Sequence, residues 1–198
     1  VSILSDKAIS VPELPGHNRV NARPGFNVIA TANSRDQGVN DLSAALKRRF
    51  NYIHIPIVAD KKTEVAIVKA RSQSLLERYS IRAELDAPIL ELLATVFREI
   101  RSGKSEDGVS IKSPSTTLST AEAIGVALDA SLHARFFGGD GGKVGPAAIA
   151  RNLVGSVVKE DLADLKALKE YVTLIAKKRA KDSPVWKEFH DEAQKALR

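Results

Sequence analysis

Two groups of polar side chains in the first quarter of the chain have the types and spacing needed for phosphate chemistry. Residues 25–31 are a short, mostly apolar run, and the carboxamide of Asn33 follows it. Residues 41–49 read as a short helix that ends in Arg48 and Arg49. A carboxamide can position an attacking water, and a guanidinium can neutralise charge on phosphate oxygens. These groups indicate a domain that handles a nucleotide.

Strands and a helix must position these side chains. The apolar runs at residues 26–31 and 53–57 predict two buried strands of a parallel sheet. Residues 41–49 predict the helix between them, with Asp41 as N-cap. A strand, helix and strand of this length fit a crossover unit with parallel strands. Ligands bind at the carboxyl ends of such strands, which is where Asn33 would lie. A short strand or hairpin arm is also predicted at residues 8–11.

The rest of the chain has the periodicity of helices. Asp60 can cap the first helix, and Ser119 with Glu122 forms a capping box for a later one. Ser183, followed by proline, starts the last helix. A polar loop at residues 102–117 and a glycine-rich break at 138–145 separate these elements. The pattern predicts a bundle of five or six helices.

Composition excludes several classes of protein. Of the 198 residues, 43% are hydrophobic and 27% charged, as in an ordinary soluble globular protein. No apolar run approaches the roughly 20 residues of a membrane span. Cysteine is absent, and the four histidines are scattered, so neither disulfides nor a metal site is expected. Methionine is also absent, so we expect an internal or carboxy-terminal piece of a longer protein, or else a processed or recoded chain.

The net charge and two short segments suggest binding activities that their sequence context does not support. The net charge of +6 could favour nucleic acid, but the densest basic cluster, residues 177–181, falls at a helix end, where cations complement the helix dipole. Residues 103–105 and 138–144 resemble parts of a phosphate loop. The first lacks the required upstream glycine, and the second follows a helix rather than a strand. We interpret both as helix connections.

The order of motifs in the first quarter resembles the second half of an AAA+ ATPase core, most closely the MoxR-like branch. That branch has an apolar strand ending Ala-Thr-x-Asn, a helix ending Arg-Phe, and another strand. The matching segments here are residues 29–33, 42–50 and 53–55. Residues 9–13 and 23–26 also look like that branch, so the resemblance covers residues 9 to about 57. The helical remainder is similar to the family's lid in order and type.

The resemblance assigns roles to individual residues. It implies that Asn33 is sensor 1, supported by Thr31 and Ser34, and that Arg49 is the arginine finger, with Arg48 as the competing choice. The plainer interpretations are that Asn33 tolerates a turn and that the two arginines complement a helix dipole.

The chain departs from the family's pattern at two places. The lid's sensor 2 arginine belongs to a Ser-Pro-Arg-like triplet, but residues 119–121 read Ser-Thr-Ala, and Arg135 is the nearest arginine on the same helix. The phosphate loop and the paired acids of the Walker B type are absent and would precede residue 1. The chain alone is therefore not expected to bind ATP tightly.

The fold class implied is an incomplete P-loop NTPase (AAA+) α/β core at residues 1–58, followed by an α-helical lid with a carboxy-terminal extension at 59–198. The resemblance implies a cytoplasmic ATP hydrolase that works as a homo-oligomeric ring, usually a hexamer. ATP and Mg²⁺ would be held mainly by the missing part. Relatives remodel partners or insert metals, often with a von Willebrand A-domain protein. Alternatives are a non-catalytic helical interaction module, a nucleic-acid-binding helical protein, and, within AAA+, a restriction-type GTPase or gas-vesicle ATPase.

Overall fold

The structure is a computed structural model in which the chain forms two compact units, Val1–Ile55 and Pro56–Arg198. No helix in the described part of the chain is long and apolar enough to cross a membrane. The residues described are 2–13, 16, 18–32, 43–114, 118–138, 141–159 and 161–198.

The amino-terminal unit has little regular structure. Its described elements are α1 (Ser2–Ser5), β1 (Ala8–Ser10), β2 (Arg19–Asn21) and α2 (Ala44–Lys47). The strands β1 and β2 are antiparallel, and Ile9 lies opposite Val20. The predicted strand near residues 8–11 is therefore confirmed as β1.

The two buried parallel strands predicted at residues 26–31 and 53–57 are wrong. Neither segment is a strand, and the side chains of Ile29, Ile53 and Ile55 are 93%, 86% and 84% exposed. A strand exists only where a neighbour takes up its backbone N–H and C=O groups. Among the described residues the one sheet is β1–β2, which these segments do not join. The α/β core is thus reduced to a two-stranded sheet in the part of the chain that the structure describes.

The carboxy-terminal unit is helical, as predicted. Asp60, Ser119 and Ser183 cap their helices, and Glu122 completes the predicted capping box. Helix α7 continues through a π-helical turn, Val172–Ala176, into α8. The helices are α3 (Lys61–Arg78), α4 (Ala87–Ser102), α5 (Thr120–Phe136), α6 (Pro146–Val157), α7 (Leu162–Tyr171), α8 (Lys177–Arg179) and α9 (Pro184–Ala196).

Helix α4 is the centre of this unit. It contacts α3, α5, α6, α7 and α9. Leu93, Val96, Phe97 and Ile100 are completely buried and belong to one broad apolar face. A helix with such a face is stable only when other helices cover it. The sequence of α4 therefore requires the bundle.

A buried ion pair joins α3 and α4 to the start of α5. The carboxylate of Glu64 is inaccessible to solvent, and the Arg101 guanidinium donates to its two oxygens at 3.1 and 2.9 Å. The Thr120 hydroxyl donates to Glu64 Oε1 at 3.1 Å, and Arg101 also donates to the carbonyl oxygen of Leu118 at 3.2 Å. The desolvation of the two charges is offset by this set of bonds.

A second buried carboxylate, Glu99, joins α4 to α7 and α8. The Tyr171 hydroxyl donates to Glu99 Oε2 at 2.7 Å. The Arg179 guanidinium donates to Oε2 at 2.9 Å and to Oε1 at 2.7 Å. The backbone N–H of Glu106 donates to Oε1 at 2.6 Å. Four donors therefore converge on one carboxylate.

The π-helical turn allows Tyr171 and Arg179 to reach the same carboxylate. In a regular α-helix, residues eight positions apart point about 80° away from each other. A π turn accommodates one extra residue, which leaves an effective separation of seven positions and an angle of about 20°. The turn at Val172–Ala176 lies between the two residues and brings them onto one face.

The substitution Glu64→Gln should strongly destabilise the helical unit, because it leaves the Arg101 guanidinium buried without its counter-charge. We expect a loss of about 3–5 kcal/mol in the free energy of unfolding, measured by urea denaturation. The matched control is Glu106→Gln, which removes an exposed 3.1 Å pair with Lys61 and should cost under about 1 kcal/mol. Equal effects of the two substitutions would contradict the structural role of Glu64.

Tyr171 should make stability sensitive to alkaline pH. Burial, and then the charge and hydrogen bond of Glu99, raise the pKa of the Tyr171 phenol well above its ordinary 10.0. Because the folded-state pKa lies above the unfolded value, this stabilisation is complete below pH 10.0 and is lost as pH rises toward the folded-state pKa.

The substitution Tyr171→Phe should flatten this alkaline decline and cost about 1.5–3 kcal/mol at neutral pH, because a hydrogen bond to a charged group is lost. Urea denaturation between about pH 8 and about pH 11 measures both effects. The control Tyr52→Phe removes a hydroxyl from a residue that is 62% exposed and should change neither. An unchanged alkaline decline in Tyr171→Phe would show that another group causes it.

Candidate functional site

The two candidate arginines directly follow α2 in the amino-terminal unit. Ser43 caps α2, and its hydroxyl accepts a hydrogen bond from the backbone N–H of Leu46 at 3.2 Å. The predicted cap, Asp41, lies outside the described residues. Arg48 ends the helix in a right-handed conformation, and the next residue is Arg49. Both arginines are exposed to solvent.

The guanidinium of Arg49 is held by neighbours in its own unit. Its Nε donates to the Ser5 hydroxyl oxygen at 2.6 Å, and its Nη1 donates to the carbonyl oxygen of Ala45 at 2.5 Å. The first bond joins the turn after α2 to Ser5 of α1, 44 residues away in sequence. These bonds orient the guanidinium and leave Nη2 without a hydrogen bond to any described residue.

Arg48 differs from its neighbour. Its side chain makes no hydrogen bond or ion pair with the residues that the structure describes. Among the described residues, the segment therefore presents one guanidinium that is held by hydrogen bonds and, next to it, one that is not. This difference between the two arginines could not be predicted from the sequence, because the bond from Arg49 to Ser5 links distant residues.

The remaining residues predicted near this site are described only in part. Asn33 and Ser34 lie outside the described residues, and Thr31 is exposed in a segment without regular structure.

The start of α5, where the resemblance would place a sensor 2 arginine, is held by structural bonds. The Ser119 backbone N–H donates to Glu122 at 2.7 Å, and Lys159 donates to the same carboxylate at 2.6 Å. Burial alone would raise the pKa of Glu122, but the bonds from Lys159 and Ser119 outweigh it and lower the pKa. The capping box therefore accounts for Ser119 and Glu122.

Another arginine lies near this helix start. Arg101 extends from the end of α4 to the start of α5 and donates to the carbonyl oxygen of Leu118. Its charge is balanced by the Glu64 carboxylate. Sequence spacing could not identify Arg101, since it belongs to a different helix. Arg135 is exposed in the last turn of α5, 14 residues after Ala121, which corresponds to about 21 Å along the helix.

The basic cluster at residues 177–181 and the two segments that resemble phosphate loops, 103–105 and 138–144, have structural roles. In the cluster, Lys178 and Arg179 both pair with Asp107, at 3.5 and 3.8 Å. Gly103 ends α4 with a left-handed φ of 68°. A Cβ on Gly142 would lie 2.7 Å from a backbone oxygen, so that position requires glycine. These features belong to helix ends and connections.

The groups in this chain match phosphate better than a divalent metal. Two neighbouring guanidiniums can donate to phosphate oxygens in pairs. By contrast, no cluster of three or more histidine, aspartate or glutamate side chains in the described ranges could hold a metal ion. The described residues can therefore contribute cations to a nucleotide phosphate but do not provide a magnesium site.

Comparisons with known proteins show the family to which the chain belongs. The family profile for the AAA domain (dynein-related subfamily) matches residues 1–50, and that for the YehL-like AAA+ ATPase C-terminal domain matches residues 62–197. The uncharacterized protein YehL of Escherichia coli (strain K12) is 37% identical over 172 residues, which cover 86% of this chain. The chain spans 47% of the length of that relative. No solved structure matches the chain. The predicted resemblance to AAA+ ATPases is confirmed, and the chain belongs to the YehL-like AAA+ ATPase family.

Proposed function

We propose that the full-length protein is a MoxR-like ATP hydrolase whose subunits form a ring, with six subunits as in similar proteins. Hydrolysis would drive the remodelling of a client protein or chaperone-like metal insertion into it. The ring would work together with a von Willebrand A-domain protein. The proposal rests chiefly on one observation. Two exposed arginines follow α2 within the segment that matches an AAA domain, and this segment precedes the YehL-like C-terminal domain.

In this proposal Arg49 is the arginine finger. Its guanidinium is already oriented by Ser5 and Ala45, and a preorganised cation stabilises transition-state charge without first paying for its own alignment. It would act on the γ-phosphate of ATP bound by the neighbouring subunit. Such an arginine supplied in trans increases turnover by about 10³ to 10⁵. Arg48 is the alternative, because it is also exposed and makes no hydrogen bond with the described residues.

Asn33 would act in cis as sensor 1 and hold the attacking water. The phosphate loop and the acids that hold ATP and Mg²⁺ would belong to the part of the full-length protein that this chain does not include, so the chain alone would be inactive. We assign no firm sensor 2. Arg135 remains a weak candidate, because about four helical turns separate it from the expected position.

The helical unit would serve as the lid, from about residue 59 to 198, with the hinge near residues 58–60. Support comes from its internal bonding, since Glu64 and Glu99 each tie several helices together. A unit bonded in this way moves as one body when a hinge turns. We also propose a cytoplasmic location, in line with similar ring ATPases.

The test is ATP hydrolysis by the full-length protein carrying Arg49→Ala or, as the matched variant, Arg48→Ala. We expect Arg49→Ala to lower kcat by about 10³ with little change in ATP binding, because a finger acts on the transition state. We expect Arg48→Ala to have a much smaller effect. Turnover is measured by phosphate release, and binding by a fluorescent ATP analogue.

Two results would change the assignment. A large loss in Arg48→Ala alone would transfer the finger role to Arg48. If the wild-type protein neither binds nor hydrolyses ATP, the enzyme proposal fails, and the chain would be a non-catalytic interaction module.

A further inference from the structure

A cleft of about 340 Å³ opens on the surface of the helical unit, between α4, the turn at residues 105–108 and the start of α9. We call it the α4–α9 cleft. Its apolar wall includes Leu92, Val185 and Trp186. Its volume is at the lower end of the range for small-ligand sites, which suits a single side chain or a small molecule.

Most charged groups around the α4–α9 cleft already have partners. Lys61 pairs with Glu106 at 3.1 Å. Arg179 pairs with Glu99 at 2.7 Å and lies 3.8 Å from Asp107. Both cations are therefore neutralised, and the cleft offers no free cation to an anionic ligand among the residues that the structure describes.

Two polar groups of the cleft have no partner among the described residues. The Glu91 carboxylate is exposed and makes no hydrogen bond or ion pair with them. Thr95 is only 4% exposed, lines the cleft, and its hydroxyl likewise makes no hydrogen bond there. Because Thr95 lines the cleft, its hydroxyl can donate to or accept from a ligand that enters there.

The unpaired groups are neighbours on one helix face. Glu91 and Thr95 are four residues apart in α4, which is the spacing at which helix side chains adjoin. The carboxylate only accepts hydrogen bonds, and the hydroxyl can accept as well. Together they suit a ligand that carries several donors and a positive charge, with an apolar stem against Leu92 and Trp186.

We propose that the α4–α9 cleft binds a guanidinium or ammonium group at the end of a short apolar stem, which donates to the Glu91 carboxylate and the Thr95 hydroxyl. The basic side chain of a polypeptide and a free organic cation share this chemistry. The proposal does not depend on ATP hydrolysis.

The experiment is a titration of the ¹⁵N-labelled chain followed by NMR chemical shifts. The peptide probe is glycyl-arginyl-glycine with blocked termini, and its control replaces arginine by neutral citrulline. Agmatine is the free-cation probe. The variants are Glu91→Gln and Thr95→Val. The matched control is Glu77→Gln, which removes an exposed carboxylate from a separate cleft of about 360 Å³.

We expect the arginyl peptide or agmatine to cause saturable shifts in α4 and at the Trp186 indole N–H, and the citrulline peptide to cause none. Glu91→Gln should weaken binding about tenfold or more, because a charge-assisted hydrogen bond is lost, and Thr95→Val should weaken it less. Glu77→Gln should bind like the wild type. Tighter binding of the peptide than of agmatine would identify a polypeptide as the source, and the reverse would identify a free cation.

Three results would overturn the proposal. The first is the absence of saturable shifts with both cationic probes. The second is equal binding of the citrulline and arginyl peptides. The third is a loss in Glu77→Gln as large as that in Glu91→Gln, which would show a general charge effect.

Discussion

The arrangement of the helical unit depends on the four hydrogen bonds that converge on the Glu99 carboxylate. A buried carboxylate is tolerated only when its charge is balanced and its oxygens accept hydrogen bonds. Glu99 meets both needs with Arg179, Tyr171 and the backbone of Glu106. To bring the first two onto one face, the chain breaks the α-helical register with a π turn. Arg179 in turn lies 4.7 Å from the Trp186 ring, which ties α9 to the same centre.

A second centre at Glu64 fixes the other side of the unit. Its bonds to Arg101 and Thr120 hold α3 and the start of α5 against α4. With α4 fixed from both sides, the helices form one body, which is what a lid must be if rotation at a hinge is to reach a distant surface. The α4–α9 cleft lies on this body, and a partner bound there would move with it.

The sequence predicts those parts of the fold that local interactions determine. Helix starts follow from capping residues such as Asp60 and Ser119, whose bonds reach only three residues ahead. The two strands were predicted wrongly because an apolar run becomes a strand only beside a partner strand, and pairing is a tertiary property. The burial of Glu64 and Glu99 could not be predicted from the sequence, since acidic residues within helical patterns usually face solvent.

In the candidate site, too, local features could be predicted from the sequence, whereas contacts between distant residues could not. The order of motifs was enough to single out Arg48 and Arg49, and both lie within the segment that matches an AAA domain. The bond from Arg49 to Ser5 spans 44 residues and could not be anticipated. The sequence shows that residues 119–121 contain no arginine and begin a capping box. It does not show that Arg101 reaches the same helix start, because Arg101 belongs to a different helix.

The central claim is that an arginine of one subunit completes the site of its neighbour. The most direct measurement is ATP turnover by rings assembled from two inactive variants, one with Arg49→Ala and one with a disabled phosphate loop. If the arginine acts in trans, some interfaces in a mixed ring combine an intact phosphate loop with an intact arginine, and turnover should reappear. If mixed rings form, bind ATP and remain as inactive as either variant alone, Arg49 does not act across the interface.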